Sequence, residues 1–207
     1  DNVYQVRKRL GAQLAREHPA QADFVMPIPD SGVYAALGYA EEAELPFEMA
    51  MIRNHYIGRT FIQPTQFVRD FRVGVKLNPI RDVIQGKRVV VVEDSIVRGT
   101  TCRNRVQGLR RAGAREVHMR ISCPPIRFPC FYGIDFPSKS ELIASSKSTA
   151  EIANFIEADS LEYLSLPGML SIVKNPDYFC HACFSGKYPV AVPRDQSKYV
   201  MEGCRKK

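Results

Sequence analysis

The sequence predicts an α/β fold with a doubly wound, mainly parallel sheet, and two observations lead to this prediction. Four consecutive valines in residues 88–93 lack the polar alternation of a half-exposed strand, so this segment is typical of a strand buried on both faces. Strand-like and helix-like patterns also alternate along the chain, with tight turns after the strands. In such a sheet the ligand site lies at the carboxyl ends of the strands.

Each element in turn follows from hydrophobic spacing or from a stop signal. Apolar residues at helical spacing predict helices over residues 3–17, 33–44, 102–113, 142–146, 148–156 and 167–173. Short apolar runs predict strands over residues 24–28, 46–52, 88–93, 117–122 and 161–164. Gly113 is the expected end of its helix, and residues 138–141 form a capping-box pattern. The arginines of the 102–113 helix and its exit are interpreted as a solvent-exposed face: Arg103, Arg105, Arg110, Arg111 and Arg115.

Composition narrows the possible partners. The 207 residues carry a formal net charge of +7, which favours an anionic ligand such as a polyphosphate or a nucleic acid. The basic residues are dispersed and form no recognised nucleic-acid module, so we do not expect nucleic acid. There is no run of about 18 apolar residues, so no membrane span is indicated. There is also no signal-peptide pattern, and six cysteines without one indicate a reducing compartment. We expect a cytoplasmic protein without a membrane partner.

The valine-rich strand leads into a motif that suits a phosphate group. A tight turn with small side chains follows the strand and contains Ser95, Gly99, Thr100 and Thr101. Backbone N–H groups in such a turn and at a helix start can all point at one anion. The carboxylates of Glu93 and Asp94 would repel that anion, so they need another partner, either ribose hydroxyls or a hydrated Mg²⁺.

Residues 89–101, Val-Val-Val-Val-Glu-Asp-Ser-Ile-Val-Arg-Gly-Thr-Thr, resemble the signature of type I phosphoribosyltransferases, and the part from Asp94 is similar to that of the glutamine phosphoribosylpyrophosphate amidotransferases. The resemblance implies that the acids hold the ribose of phosphoribosylpyrophosphate (PRPP) and the loop holds its 5-phosphate. Glu93 stands where that family usually has aspartate, and its length can alter the magnesium geometry. The implied substrate-binding residues are Asp30, Ser31, Glu93, Asp94, Ser95, Ile96, Val97, Arg98, Gly99, Thr100 and Thr101. The implied Mg²⁺ ligands are Ser31, Glu93 and Asp94.

The turn Pro29-Asp30-Ser31-Gly32 has two interpretations. Asp and Ser directly before a helix are common caps, and a cap explains Asp30 and Ser31 without any ligand. The resemblance instead implies that this turn binds pyrophosphate and that Ser31 contributes to the magnesium site.

Residues 53–78 show neither helical nor strand periodicity over their length. Five basic residues face one acid there, a balance that suits a lid closing on a polyanion, although an arginine-rich surface excursion is the alternative. The stretch Tyr-Ile-Gly-Arg-Thr-Phe-Ile-Gln-Pro resembles the flexible loop of the amidotransferases, with matches at Tyr56, Arg59, Thr60 and Lys76. The resemblance implies catalytic roles for Tyr56, Arg59 and Lys76.

Cys180 and Cys183 form a C-x-x-C pair, which suits zinc, an iron–sulfur cluster, a redox disulfide or no ligand at all. Their surroundings resemble the cluster-bearing subgroup of the amidotransferases. There the pair, a third cysteine matching Cys130 and a fourth ligand hold a [4Fe-4S] cluster. The fourth ligand would precede Asp1, so we expect an incomplete cluster site in this chain.

The resemblance implies a type I phosphoribosyltransferase domain over residues 1–196, with a flexible lid at 53–78, a helical and cysteine-containing segment at 123–196 and a mobile tail at 197–207. The implied enzyme is a pentosyltransferase that makes 5-phosphoribosylamine and pyrophosphate from PRPP and ammonia, the first step of purine biosynthesis. We expect no glutaminase domain, use of free ammonia, a homo-oligomer and inhibition by purine nucleotides. Two alternatives stay open: a nucleobase salvage phosphoribosyltransferase and a non-catalytic PRPP sensor.

Overall fold

The computed structural model describes residues 2–54, 77–134 and 138–191. Its α-helices are α1 (Val3–Glu17), α2 (Val33–Glu42), α3 (Arg81–Ile84), α4 (Thr100–Arg111), α5 (Thr149–Ile156), α6 (Leu166–Ser171) and α7 (Ala182–Ser185). Its strands are β1 (Phe24–Pro27), β2 (Met51–Arg53), β3 (Leu77–Pro79), β4 (Arg88–Glu93), β5 (Glu116–Ile121) and β6 (Ser160–Tyr163). Single 3₁₀ turns occupy Lys139–Glu141, Ile143–Ser145 and Pro176–Tyr178. Among the described residues no helix is long and apolar enough to cross a membrane.

A four-stranded parallel sheet in the order β1-β4-β5-β6 forms the centre of the domain, which confirms the predicted doubly wound architecture. Both faces of β4 are buried. Val89 and Val91 pack in the core on the side of α4 and α5, whereas Val90 and Val92 pack against α1 and α2. Helices on both faces therefore explain why this strand carries no polar alternation.

Most element boundaries agree with the predictions, but two predicted elements are wrong. Residues 46–52 were expected to form one strand, but the strand spans only Met51–Arg53, and Phe47 makes an isolated parallel bridge to Val25. Residues 142–146 form a 3₁₀ turn instead of an α-helix. Both ends of the predicted 53–78 lid belong to strands, because β2 and β3 pair as an antiparallel ribbon. Residues 55–76 lie outside the described part of the chain.

The interpretation of the arginines on α4 and its exit as a solvent-exposed face holds for Arg111 and Arg115, which are exposed, but it is wrong for Arg105, whose side chain is 23% exposed. Arg103 and Arg110 form ion pairs with Glu157 and Asp159, beyond the end of α5, and Arg105 forms one with the buried Glu93. The reason lies in tertiary packing, because α4 packs against α5 and its Arg105 reaches the buried acid at the end of β4.

Two glycines allow α1 and α2 to approach closely. A Cβ on Gly11 would lie 1.8 Å from the Ala35 carbonyl oxygen, and a Cβ on Gly38 would lie 1.9 Å from that of Lys8. No side chain fits at either position, so the two backbones touch at this crossing. The contact fixes the helical layer that covers Val90 and Val92.

We therefore expect Gly11→Ala to lower the free energy of unfolding by about 1–3 kcal/mol, since the added methyl must push the helices apart. Gly108→Ala on α4 is the matched control, because its Cβ would meet no atom closer than 3.8 Å. That change should be neutral or stabilising by up to about 1 kcal/mol. Chemical denaturation of the three proteins measures both effects. Equal destabilisation by the two changes would contradict the close crossing.

Glu17, the last residue of α1, binds the start of α6. Its carboxylate accepts hydrogen bonds from the Ser165 N–H at 2.8 Å and the Ser165 hydroxyl at 2.9 Å. Partial burial alone would raise the pKa of Glu17, but the hydrogen bonds from Gln13 and Ser165 outweigh it and lower the pKa below its ordinary value. The charged form of Glu17 therefore stabilises the fold.

Glu17→Gln should lower the free energy of unfolding at neutral pH by up to about 1 kcal/mol, with allowance for solvent screening. Because the pKa of Glu17 is lower in the folded state, wild type has its full advantage in free energy of unfolding above the ordinary glutamate pKa. This advantage disappears as the pH falls through the lowered pKa. Urea titrations between pH 3 and 7 measure it, with exposed Glu48→Gln as control. A pH-independent difference would contradict this assignment.

Candidate functional site

Two loops meet at the carboxyl edge of the sheet. The β1 loop (residues 28–32) follows β1 and the β4 loop (residues 94–99) follows β4, and these strands are parallel neighbours. The Ile28 N–H donates to the Val92 carbonyl at 2.9 Å. A Cβ on Gly32 would lie 2.5 Å from the same oxygen, so only glycine lets the β1 loop lie directly on the β4 backbone.

The β1 loop is not a helix cap. The N-cap residue of α2 is Gly32, and no side-chain oxygen caps the helix, so the cap interpretation of Asp30 and Ser31 is wrong. The Pro29–Asp30 peptide bond is cis. The exposed Asp30 carboxylate forms an ion pair with Arg53, the last residue of β2. The loop therefore presents a carboxylate and the partly exposed Ser31 hydroxyl at the sheet edge.

The β4 loop ends at Gly99, which has a φ of +79° and serves as the N-cap of α4. This left-handed conformation favours glycine, and Ile143 and Phe155 also leave no room for a Cβ. No side chain caps the helix there, so the first N–H groups of the twelve-residue helix stay available to an anion. A cavity of about 270 Å³ opens at this point, lined by Glu93, Ser95, Ile96, Val97, Arg98, Gly99, Thr100, Thr101, Cys102 and Arg105.

The two acids at the end of β4 have different environments. Asp94 is partly exposed, and its carboxylate accepts a hydrogen bond from the Ser95 hydroxyl at 3.0 Å. Glu93 is 4% exposed and forms an ion pair with Arg105 on α4. Burial raises the pKa of Glu93 to about 7; the charge of Asp94 adds to this rise and the charge of Arg105 opposes it. Asp94 is thus the more accessible of the two carboxylates.

Residues 138–145 support the β4 loop from outside. The Ile143 N–H donates to the Val97 carbonyl at 2.9 Å. Glu141 accepts hydrogen bonds from the Arg98 guanidinium at 2.7 and 3.0 Å, and it also closes the predicted capping box with Ser138. The hydrogen bonds from Arg98 and Ser138 lower the pKa of the Glu141 carboxyl, and Arg98 contributes most. Burial acts in the opposite direction.

The sequence predicted no site role for Arg105 and Glu141, and it placed Arg53 only among the basic residues of the 53–78 lid. A signal for Arg105 was present, because it lies on the same helical stripe as Cys102, Val106 and Leu109, which are buried. The capping box identified Glu141 but gave no hint of its partner Arg98. The predicted catalytic residues Tyr56, Arg59 and Lys76 lie outside the described residues, as does Thr60.

The oxygen ligands at the two loops fit Mg²⁺. Mg²⁺ in phosphate sites is typically bound by one or two carboxylates together with substrate phosphates and water. Asp94 and Ser31 offer a carboxylate and a hydroxyl, and no ion pair engages Asp94 within the part of the chain that the structure describes. An ion there would need further oxygen ligands from a bound phosphate or water, because the described residues contain no group of three His, Cys, Asp or Glu that could hold a metal.

The cysteines form no metal site among the described residues. The carbonyl of Cys183 accepts the N–H groups of Arg127 and Phe128, both at 3.0 Å, so the C-x-x-C segment packs on residues 127–128. Burial raises the pKa of the Cys183 thiol, with further contributions from Cys130 and Cys180. The described residues contain no group of three His, Cys, Asp or Glu that could hold a metal ion. The iron–sulfur cluster stays a prediction, and no step below depends on it.

Comparisons with known proteins agree with this geometry. The family model of the phosphoribosyl transferase domain matches residues 1–126. The amidophosphoribosyltransferase of Synechocystis sp. is 53% identical over 205 residues, 98% of this chain and 41% of that protein. That of Methanocaldococcus jannaschii is 54% identical over 191 residues, 92% of this chain and 40% of that protein.

Solved structures show the same relationship. A glutamine PRPP amidotransferase from B. subtilis, complexed with ADP and GMP, is 50% identical with a TM-score of 0.85 over 95% of this chain and 44% of that one. A structure described as the allosteric regulatory enzyme of purine biosynthesis is 52% identical, with a TM-score of 0.85 over 94% of this chain and 43% of that one. The chain spans about two fifths of the length of these relatives. Because the matched family segment includes β1, β4, β5 and both loops, the chain belongs to the family of phosphoribosyl transferase domains.

Proposed function

We propose that this chain is the phosphoribosyl-transferring part of an amidophosphoribosyltransferase. It binds PRPP and transfers the phosphoribosyl group to ammonia, which gives 5-phosphoribosylamine and pyrophosphate in the first step of purine biosynthesis. The β4 loop carries this proposal, because an acidic pair, a glycine-led helix N-terminus and a phosphate-sized cavity coincide there. Relatives at 50–54% identity bear the corresponding names.

The 5-phosphate belongs in the β4 loop. The uncapped N–H groups at the start of α4 and the hydroxyls of Thr100 and Thr101 supply donors, and the helix dipole adds a favourable field. The 5-phosphate takes no part in bond breaking, so its binding free energy can hold the sugar carbon in place for reaction.

The ribose lies beside Asp94. A partly exposed carboxylate next to the phosphate cavity can accept hydrogen bonds from the two ribose hydroxyls. Glu93 is the second acid of the motif, but the structure places its carboxylate beneath the loop in the pair with Arg105. A direct contact between Glu93 and ribose or Mg²⁺ stays a prediction from resemblance.

The pyrophosphate belongs at the β1 loop, where Asp30 and Ser31 are presented. Mg²⁺ held by Asp94 and Ser31 together with the phosphate oxygens would neutralise part of the charge of the leaving group. Tyr56, Arg59 and Lys76 are proposed to act on the same group from outside the described residues. The close packing of the β1 loop on β4 sets the distance between the pyrophosphate and 5-phosphate sites.

The reaction breaks the bond between the anomeric carbon and a pyrophosphate oxygen, and both bonding electrons leave with pyrophosphate. The nitrogen lone pair of ammonia forms the new bond to that carbon, and one proton then passes from nitrogen to solvent. Positive charge develops on the sugar while negative charge grows on the leaving group. The site therefore acts mainly by holding charges in place, with little acid–base work.

Several further features are proposed by analogy with the relatives. In the longer relatives, ammonia is expected to come from glutamine at a glutaminase domain, in the part of their length that this chain does not match. Purine nucleotides are expected to inhibit, since the B. subtilis structure holds ADP and GMP. A homo-oligomer and a cytoplasmic location complete the proposal.

The test is pyrophosphate release from PRPP and Mg²⁺ at about pH 8.5, with ammonium or glutamine as the nitrogen source. We expect release with ammonium only, and Asp94→Asn should lower it by about 10²–10³ because a charge that orients the ribose is lost. Asp177→Asn, at an exposed position far along the chain, is the matched control and should retain full activity.

Other outcomes separate the alternatives. Release that requires a purine or pyrimidine base and ignores ammonium would replace the proposal with a salvage phosphoribosyltransferase. PRPP binding by folded protein without release under either condition would favour a sensor. Equal activity of Asp94→Asn and wild type would remove Asp94 from the site.

A further inference from the structure

Arg105 has an unusual place for an arginine. It lies in the second turn of α4, on the buried stripe that also contains Cys102, Val106 and Leu109, and its side chain is only 23% exposed. Side chains on a helix lean toward the helix N-terminus, so Arg105 reaches back toward the β4 loop. Both Arg105 and Glu93 line the cavity of that loop.

The partner of Arg105 is the first acid of the motif. The Arg105 guanidinium donates to the Glu93 carboxylate, and the Glu93 side chain is 6% exposed. A lone carboxylate at this depth would stand next to Asp94 and beneath a site built for a phosphate, and both neighbours would repel it. The arginine offsets that charge, because opposite charges at contact distance attract strongly where water is excluded.

The pair is not fully satisfied. The Nε of Arg105 is buried without a hydrogen-bond acceptor among the described residues. Buried donors are usually paired, so this donor leaves room for an ordered water to complete the network. Within the described residues, Glu93 is therefore the partner that holds the guanidinium in place.

We propose that Arg105 is a positioning residue of the ribose-phosphate site. It holds the Glu93 carboxylate beneath the β4 loop, so that Asp94 is the acid presented to the ribose and no net negative charge lies under the bound phosphate. This inference rests on the proposed function, since it assumes a ribose-phosphate ligand. Arg105 acts through Glu93, and the two side chains form one unit.

The test measures binding of PRPP with Mg²⁺, and of ribose 5-phosphate alone, by isothermal titration calorimetry. Arg105→Gln leaves Glu93 buried and unpaired, and we expect the dissociation constant of PRPP to rise at least about tenfold. Arg105→Lys keeps the charge and should stay within about threefold of wild type. The double variant Glu93→Gln/Arg105→Gln removes both charges and should bind PRPP at least about threefold more tightly than Arg105→Gln. Such rescue is a non-additive effect, which shows that the two side chains act as one unit, and affinity measured on folded protein separates it from a loss of stability.

Arg103→Met is the matched control. Arg103 lies on the same helix and pairs with Glu157, away from the cavity, so PRPP affinity should be unchanged. If Arg105→Gln does not fold, Arg105→Lys decides the question, because it keeps the charge and is expected to bind PRPP. A folded Arg105→Lys more than tenfold weaker than wild type would overturn the inference.

The outcomes also separate this inference from the proposed function. Wild-type protein that binds neither PRPP nor ribose 5-phosphate overturns the proposed function and this inference with it. If wild type binds PRPP and folded Arg105→Gln binds it with the same affinity, this inference is overturned and the proposed function is not. A double variant as weak as Arg105→Gln would mean that the arginine contacts the substrate directly, and this too would overturn the positioning role.

Discussion

The candidate site depends on the direct contact between the β1 loop and the β4 backbone. The Val92 carbonyl accepts the Ile28 N–H, and Gly32 lies against the same oxygen with no space for a side chain. This contact brings two loops that lie far apart in sequence to one edge of a parallel sheet. In the proposed function, the contact lets a pyrophosphate site on one loop and a 5-phosphate site on the other face the two ends of one sugar. The helices around β4 serve the contact by burying both faces of the strand.

Three arginines stand at these loops, and each is paired with an acid: Arg53 with Asp30, Arg98 with Glu141 and Arg105 with Glu93. Within the described residues the attraction for an anion therefore comes chiefly from backbone N–H groups at the start of α4 and from hydroxyls. The ion pairs set the shape of the loops, and the polar backbone supplies the donors. Such fixed dipoles need little reorganisation as charge develops, which suits a reaction that mainly separates charge.

Local patterns made much of the fold predictable. The valine run identified β4, helical spacing gave both ends of α1, and Gly113 follows the end of α4 with a φ of +94°. The predictions failed where distant residues decide the outcome. The burial of Arg105 depends on Glu93, which lies on a different element, and the ribbon of β2 and β3 joins segments separated by more than twenty residues. The β4 loop was recognisable because its acidic, hydroxyl and glycine residues are consecutive in sequence. The ion pair between Glu141 and Arg98 joins residues far apart in sequence, so it appears only in the folded structure.

Hydrogen–deuterium exchange with and without PRPP and Mg²⁺ tests whether the backbone amides of the two loops bind the phosphates. Bound PRPP should slow exchange at residues 95–101 and 30–33, with little change along the exposed face of α1. Slowing confined to the groove between α1 and residues 175–179, or no slowing at the two loops under saturating PRPP, would contradict it.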